Sequence, residues 1–208
     1  MTTATKKPAG WTDVRKALAS KEKPALIALI KDLYDTAEVN RDLLQPRLLG
    51  GENEGEFLRK YRHRIVEQFF PARGFGKLKL GEARQAVRDY RKATGNVSGA
   101  AELLLTYVEN GTKFTSEFGD IDERFYSSIE SALQELAALL RGEARALYPQ
   151  FAERLAGVAA LSDGTGWGFH DFVSAAIGNL ADELAGAWVK RPPLLCTATR
   201  SGRQSRRL

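Results

Sequence analysis

The sequence predicts an all-α protein, either a multi-helix bundle or a short solenoid of helix pairs, with seven to nine helices. Apolar residues recur at helical spacing along almost the whole chain. Gly and Pro separate these stretches where helices would end or restart. The alternating stretch 77–80 is only four residues long, which is too short to build a sheet.

The first two helices are predicted from a cap, a proline and an apolar stripe. Thr12 is the expected N-cap of a short first helix. Pro24 fits the first turn of a second helix, where a missing N–H costs least. That helix carries one broad apolar stripe. The stripe consists of Leu26, Leu29, Ile30, Leu33, Tyr34 and Ala37.

Proline and glycine set the predicted limits of the next three helices. A third helix is expected over 40–49, interrupted by Pro46 and closed by Gly50-Gly51. A fourth, with apolar residues four apart, stops at Pro71, and a fifth ends at Gly95.

Polar caps predict where the following helices begin. Asn96 or Ser98 can cap the next helix, and Gly111 is expected just past its end. Asp120 as N-cap and Glu123 as the third helical residue resemble a capping box that opens a long helix.

Two further signals complete the helical pattern in the C-terminal half. Gly142 is expected to break or bend the long helix, and Pro149 restarts the pattern. The last helix follows a glycine-aromatic segment and carries apolar residues from Val173 to Trp188.

The expected organisation is a single helical domain over 1–191. It would consist of N-terminal helices over 10–49, basic helices over 53–111 and C-terminal helices over 117–188. The stretch 192–208 loses periodicity and is predicted to be a disordered basic tail.

Composition limits the kinds of protein that this chain can be. Its 208 residues are 43% hydrophobic and 27% charged, which is typical of a globular protein. The single cysteine, Cys196, excludes an internal disulfide and a multi-cysteine zinc site. Apolar runs are too short for a membrane span, and no apolar leader follows Lys6-Lys7. We therefore expect a cytoplasmic protein without a membrane partner.

Charge is distributed unevenly and suggests a binding surface. Residues 59–92 contain eleven Lys and Arg against three acids, whereas 117–153 contains eight acids against three arginines. Such a basic zone is typical of proteins that contact nucleic acid or an acidic protein. The alternatives are a solvated helical face or one that docks on the protein's own acidic half. His63 is expected on the surface. The candidate anion-binding residues are Arg59, Arg62, Arg84, Arg88, Arg91 and Lys92.

The segment Gly166–Asp171 is the densest group of special residues in the chain. One interpretation is structural: Asp171 caps the last helix, and Trp167 and Phe169 plug a groove between helices. The other is a small pocket in which Trp167 stacks on a ligand and His170 donates a hydrogen bond. Because neighbouring residues on a helix do not face each other, His170 and Asp171 do not form a catalytic pair. No catalytic residue, metal site or cofactor is predicted.

Several apolar patterns, together with this segment, resemble domain-of-unknown-function family 6155, a family of small helical proteins. The resemblance covers roughly Ser20 to Leu184. Its most distinctive part is Gly166–Asp171, because the other motifs are helical apolar patterns. The family carries no assigned activity, cofactor or catalytic residue, so the resemblance implies a helical fold and no chemistry. The matching residues are 26–34, Asn40, Leu43-Leu44, Tyr61, Phe69–Pro71, 78–80, 83–90, 118–120 and Phe125-Tyr126.

These observations favour a non-enzymatic binding or scaffold protein that uses the basic helical face. The alternative is a small-molecule-binding protein or enzyme with a pocket around Trp167, His170 and Asp171. A third hypothesis is self-association through an apolar helix face, which would make the protein a homo-oligomer.

Overall fold

The computed structural model describes residues 10–189, and the side chains of all of these except 50–53 and 185–189. The all-α prediction is confirmed over this range, which contains eight α-helices, one 3-10 helix and no strand. The helices are α1 (Trp11–Ala19), α2 (Lys23–Thr36), α3 (Glu38–Phe69), α4 (Leu80–Thr94), α5 (Val97–Phe118), α6 (Glu123–Arg141), α7 (Tyr148–Leu161) and α8 (Phe169–Val189), with the 3-10 helix (Arg145–Leu147) between α6 and α7.

The described residues form two compact units that divide after Asn110. The first unit contains α1 to α4 and most of α5. The second contains the end of α5, the 3-10 helix and α6 to α8. The tail predicted over 192–208, with Cys196, lies outside the described residues.

The core of the first unit is formed by α4, α5 and the second half of α3. Helix α4 buries one face, and α5 buries almost every residue from Ala100 to Val108. Aromatic rings meet edge to face where these helices pack: Tyr61 with Tyr90 at 5.5 Å between centroids, and Phe69 with Tyr107 at 5.3 Å.

Helix α3 reverses direction within its own span. Lys60 Nζ lies 2.6 Å from Asp42 Oδ1, and the Tyr61 hydroxyl donates to the Asp42 carbonyl at 3.2 Å. In a straight helix, 18 residues would separate these positions by about 27 Å. The helix axis must therefore double back between Asp42 and Lys60. The prediction that the helix ends at Gly50-Gly51 is wrong, because the helix continues through them.

The N-terminal helices contribute little to the core. Neither α1 nor α2 buries a residue. Helix α2 is joined to α3 by polar contacts: the Asn40 side chain donates to the Leu33 carbonyl, and Gln45 donates to the Tyr34 hydroxyl at 2.8 Å. The apolar stripe predicted for α2 is present, but its Leu and Ile side chains are largely exposed.

The core of the second unit contains a series of aromatic contacts. Phe114 contacts Phe125, Phe125 contacts Tyr126, and Tyr126 contacts Phe169 at 5.0 Å between centroids. The Arg141 side chain on α6 holds Glu183 on α8 with two hydrogen bonds, the shorter 2.6 Å. This pairing holds the pKa of Glu183 below its usual range.

Several predicted helix ends are confirmed. Helix α4 ends at Gly95, whose φ of +69° is a left-handed conformation that favours glycine. Asn96 Oδ1 accepts from the Gly99 N–H at the start of α5. Gly142 follows the end of α6, and Pro149 lies in the first turn of α7.

Other predicted ends are wrong. Helix α1 begins after Gly10, so Thr12 lies within it and does not cap it. Gly111 lies inside α5, where a Cβ would come within 2.2 Å of Ile129 Cδ1, so packing requires this glycine. The N-cap of α6 is Asp122, which accepts from the Phe125 N–H, instead of Asp120.

Candidate functional site

Many of the basic side chains between 59 and 92 are neutralised within the first unit. Arg62 contacts Glu102 at 2.8 Å, and Arg64 lies 3.6 Å from Asp42. The hydrogen bond from Lys60 to Asp42 raises the pKa of the lysine. Lys60, Arg62 and Arg64 of α3 therefore contribute to contacts within the first unit, and their partners lie outside the acidic zone 117–153.

The six predicted anion-binding residues separate into two groups. Arg62 and Arg84 are only partly exposed, and the Arg84 guanidinium lies over the Tyr107 ring, 5.7 Å from its centroid. The other four side chains are exposed: Arg59, Arg88, Arg91 and Lys92. Arg88 donates to Gln85 on its own helix. The structure thus exposes Arg59 of α3 and three cations of α4 to solvent, and partly buries Arg62 and Arg84.

An open groove of about 350 Å³ lies between α3 and α4. It is lined by His63, Arg64, Glu67, Gln68, Glu82 and Gln85. His63 is exposed, as predicted, and its Nε2 lies 3.5 Å from Glu67. Because cationic and anionic groups alternate, the groove presents no uniform field to a charged ligand.

The segment before α8 is a tight turn that Asp120 holds in place. Asp120 Oδ1 accepts from the Gly166 N–H at 3.2 Å and from the Tyr126 hydroxyl at 2.8 Å. A Cβ on Gly166 would lie 2.8 Å from Asp120 Oδ2, so the close approach requires glycine. Sequence reasoning missed this contact, because it joins residues 46 positions apart.

Trp167 lies on this turn and is exposed to solvent. Its φ is +60°, an uncommon left-handed conformation for a residue with a Cβ, and 66% of the side chain is exposed. Phe169, in contrast, is fully buried. Phe169 packs against Tyr126 of α6, whereas the exposed Trp167 does not plug a groove, as had been predicted for both aromatics.

Asp171 does not cap α8. Helix α8 begins at Phe169, and the Phe172 N–H donates to the Gly168 carbonyl at 3.0 Å. Asp171 is therefore the third helical residue, exposed to solvent, where its charge favours the positive end of the helix dipole.

Each ring nitrogen of His170 lies near a serine hydroxyl. The buried Ser162 hydroxyl donates to the Ala159 carbonyl at 2.8 Å and lies 3.0 Å from His170 Nδ1. A hydroxyl has one proton, so while Ser162 donates to Ala159 its oxygen can only accept from His170 Nδ1–H. A nucleophilic serine requires the opposite direction of donation. The second ring nitrogen lies 3.5 Å from the Ser174 hydroxyl. The pocket alternative around Trp167, His170 and Asp171 stays a prediction.

The N-terminal helices carry most of the exposed large apolar side chains of the first unit. Nine large apolar side chains within 11–49 are exposed, by 39% to 72%. They are Trp11, Val14, Ile27, Leu29, Ile30, Leu33, Val39, Leu48 and Leu49. Apolar periodicity predicts which face of a helix is buried, but it does not tell whether the covering surface belongs to the same chain.

The described residues contain neither a cluster of metal ligands nor a membrane-spanning helix. Within 10–189, no group of three or more His, Cys, Asp or Glu side chains is arranged to hold a metal ion. In the same range, no helix combines the length and the apolar character that crossing a membrane requires.

Comparisons with known proteins give no match to a family model, a curated protein or a solved structure.

Proposed function

We propose that this chain is a helical binding protein whose docking surface is the exposed apolar face of α2, and that the partner is a second copy of the same chain. The observation that carries the proposal is that Leu29, Ile30 and Leu33 share one face of α2 and are exposed by 39%, 43% and 50%. Contiguous apolar surface of this kind marks interaction sites.

The charge on α2 supports a copy of the chain as partner. The helix carries Lys23 and Lys31 together with Asp32 and Asp35, so its formal charge is zero. Two copies of this helix therefore approach each other without net repulsion, and one apolar stripe can cover the other in a symmetric dimer. A strongly charged partner gains little from a neutral helix.

The apolar face can be extended by its neighbours in sequence. Trp11 and Val14 on α1 and Val39 at the start of α3 are also exposed. Tryptophan is enriched among the residues that contribute most to protein interfaces. Trp11 is therefore expected to contribute strongly to the interface.

Light scattering over a dilution series tests this proposal. We expect a dimer for the natural chain and a monomer for Leu33→Glu, because a carboxylate on the stripe opposes burial. The matched control is Ala28→Glu, which adds the same charge on the exposed opposite face of α2 and should leave the dimer intact. Circular dichroism checks that both variants stay helical. A natural chain that is monomeric at every concentration contradicts the proposal.

A second candidate function uses the exposed cations of the first unit to bind nucleic acid. The observation that favours it is that Arg59, Arg88 and Lys92 are exposed and form no ion pair within the described residues. Arg73 and Lys77, in the loop before α4, are also exposed. Phosphate contacts need only such a set of cations on one surface.

Binding to DNA and to RNA across a salt series tests this second function. We expect affinity to fall as salt rises, and Arg88→Gln to reduce the slope by about one. Arg145→Gln removes the same charge from an exposed position in the second unit and should leave the slope unchanged. Absence of binding even at low salt excludes the nucleic-acid function.

A further inference from the structure

We propose that the C-terminal segment 190–208 binds back onto its own chain, on the surface around Trp167 in the second unit. This surface is defined by Trp167, Phe118, Leu161 and the acids Asp163 and Asp171, and is called the Trp167 surface below. The segment lies outside the described residues; the surface, its charge and its distance from the end of α8 support the proposal.

Three exposed apolar side chains lie close in sequence to the hydrogen bonds that hold the Trp167 turn. Phe118 lies two residues before Asp120, and Trp167 follows Gly166, whose N–H donates to Asp120. Leu161 precedes Ser162, which bonds His170 at the base of the same turn. Among the described residues of the second unit, these three are the large hydrophobic side chains that are exposed. They add exposed apolar area around the Trp167 turn.

Charge in the second unit is complementary to the C-terminal segment. Residues 111–189 contain five Lys and Arg against twelve Asp and Glu, a formal charge of −7. Residues 190–208 contain six Lys and Arg and no acid. Asp163 and Asp171 flank the Trp167 turn, are exposed, and make no ion pair with the described residues. Opposite charges of this size favour association within one chain.

Trp167 offers a specific contact to an arginine. Indole faces attract guanidinium groups, with about 0.5–1 kcal/mol per pair at exposed sites. The bond from Gly166 to Asp120 holds the backbone next to Trp167 in place, so little backbone freedom is lost on binding. Arginine at 200, 203, 206 and 207 supplies four candidates.

The segment is long enough to reach this surface. Helix α8 spans 21 residues, so its two ends are about 30 Å apart. Arg200 is eleven residues beyond Val189, and an extended chain of that length spans about 36 Å. Arg200 and the arginines after it can therefore return to the start of α8.

Cys196 allows a direct test, because it is the single cysteine and lies within the segment. A nitroxide attached to Cys196 of the natural chain broadens the NMR signals of protons near it. We expect the indole N–H signal of Trp167 to be broadened at low salt and to recover at 1 M salt, where charges are screened within about 3 Å. Replacing Arg200, Arg203, Arg206 and Arg207 by Glu should also restore it.

Matched variants and a mixing experiment distinguish binding within one chain from binding between copies. Asp171→Asn should weaken the broadening, whereas Asp182→Asn, which removes the same charge farther along α8, should not. A Trp167 signal that is unaffected at low salt overturns the proposal. Equal broadening of an isotope-labelled chain by a separate spin-labelled chain also overturns it, because the segment would then bind another copy.

Discussion

Two buried tyrosines in the first unit differ by one hydrogen bond. The Tyr61 hydroxyl donates to the Asp42 carbonyl, whereas the buried Tyr90 hydroxyl makes no hydrogen bond of regular geometry within the described residues and has only a weak contact with the Thr94 side chain. The Tyr90 oxygen abuts Gly99, where a Cβ would lie 2.1 Å away. A buried hydroxyl without a partner loses its hydration and gains nothing in return.

At this scale we expect the two Tyr→Phe substitutions to act differently. Tyr61→Phe should lower the free energy of unfolding by about 1 kcal/mol, because it removes a satisfied bond and leaves a carbonyl without it. Tyr90→Phe should be neutral or stabilising. Urea unfolding of both variants measures the difference, and equal losses would show that the Asp42 hydrogen bond does not distinguish the two tyrosines.

In the candidate site, some properties of single residues could be predicted from the sequence and others could not. The exposure of His63 and the special backbone of Gly166–Asp171 follow from residue type and local pattern. The exposure of Trp167 does not, because an aromatic between glycines fits a buried wedge equally well. The role of Asp120 depends on a contact with Gly166 that only the folded chain creates.

At the scale of elements, the reversal of α3 rests on a polar cluster. Asp42 is buried, and its carboxylate is met by Lys60 at 2.6 Å and by Arg64 at 3.6 Å. Removing a cation leaves a buried carboxylate with a single partner, which is unfavourable. The cluster therefore joins the first part of α3 to the second.

We expect Lys60→Met to lower the free energy of unfolding by about 1–3 kcal/mol. The same substitution at Lys79, whose partner Glu82 is exposed, should cost less than about 0.5 kcal/mol. Limited proteolysis should cut Lys60→Met, and not Lys79→Met, between 38 and 49. Identical digestion patterns and stabilities for the two variants would refute the role of the cluster.

A helix end was predicted correctly where glycine is required by a left-handed backbone conformation. It was predicted wrongly where glycine is required by close packing. Gly95 has a positive φ and ends α4 as expected. Gly111 has no positive φ and lies inside α5. Glycine is required there because Ile129 occupies the space that a Cβ would fill. A sequence shows both as glycine after an apolar run, so the two cases separate only when the neighbouring helix is known.

At the scale of the whole molecule, buried tyrosines link stability to alkaline pH. Burial raises the pKa of Tyr61 to about 12 and also raises the pKa of Tyr90 and Tyr126. The folded state thus retains protons that the unfolded chain loses near pH 10. Their contribution is fully present below pH 10 and is lost as the pH rises toward 12.

Urea unfolding at pH 8 to 11 checks this expectation. The unfolding midpoint should be constant up to about pH 10 and then fall, and Tyr61→Phe should reduce the slope above pH 10. A midpoint that is independent of pH up to 11, or a slope that Tyr61→Phe leaves unchanged, would contradict it.

The helices of the first unit also differ in how deeply their residues are buried. Residues on α1 and α2 are not buried, whereas α5 has an almost continuous buried run. Backbone amides of the N-terminal helices can therefore exchange with deuterium through local opening, while those of α5 exchange only when the unit unfolds. Formation of the dimer would slow exchange in α2 first, so the protection of its amides is a direct measure of how much of the chain is paired.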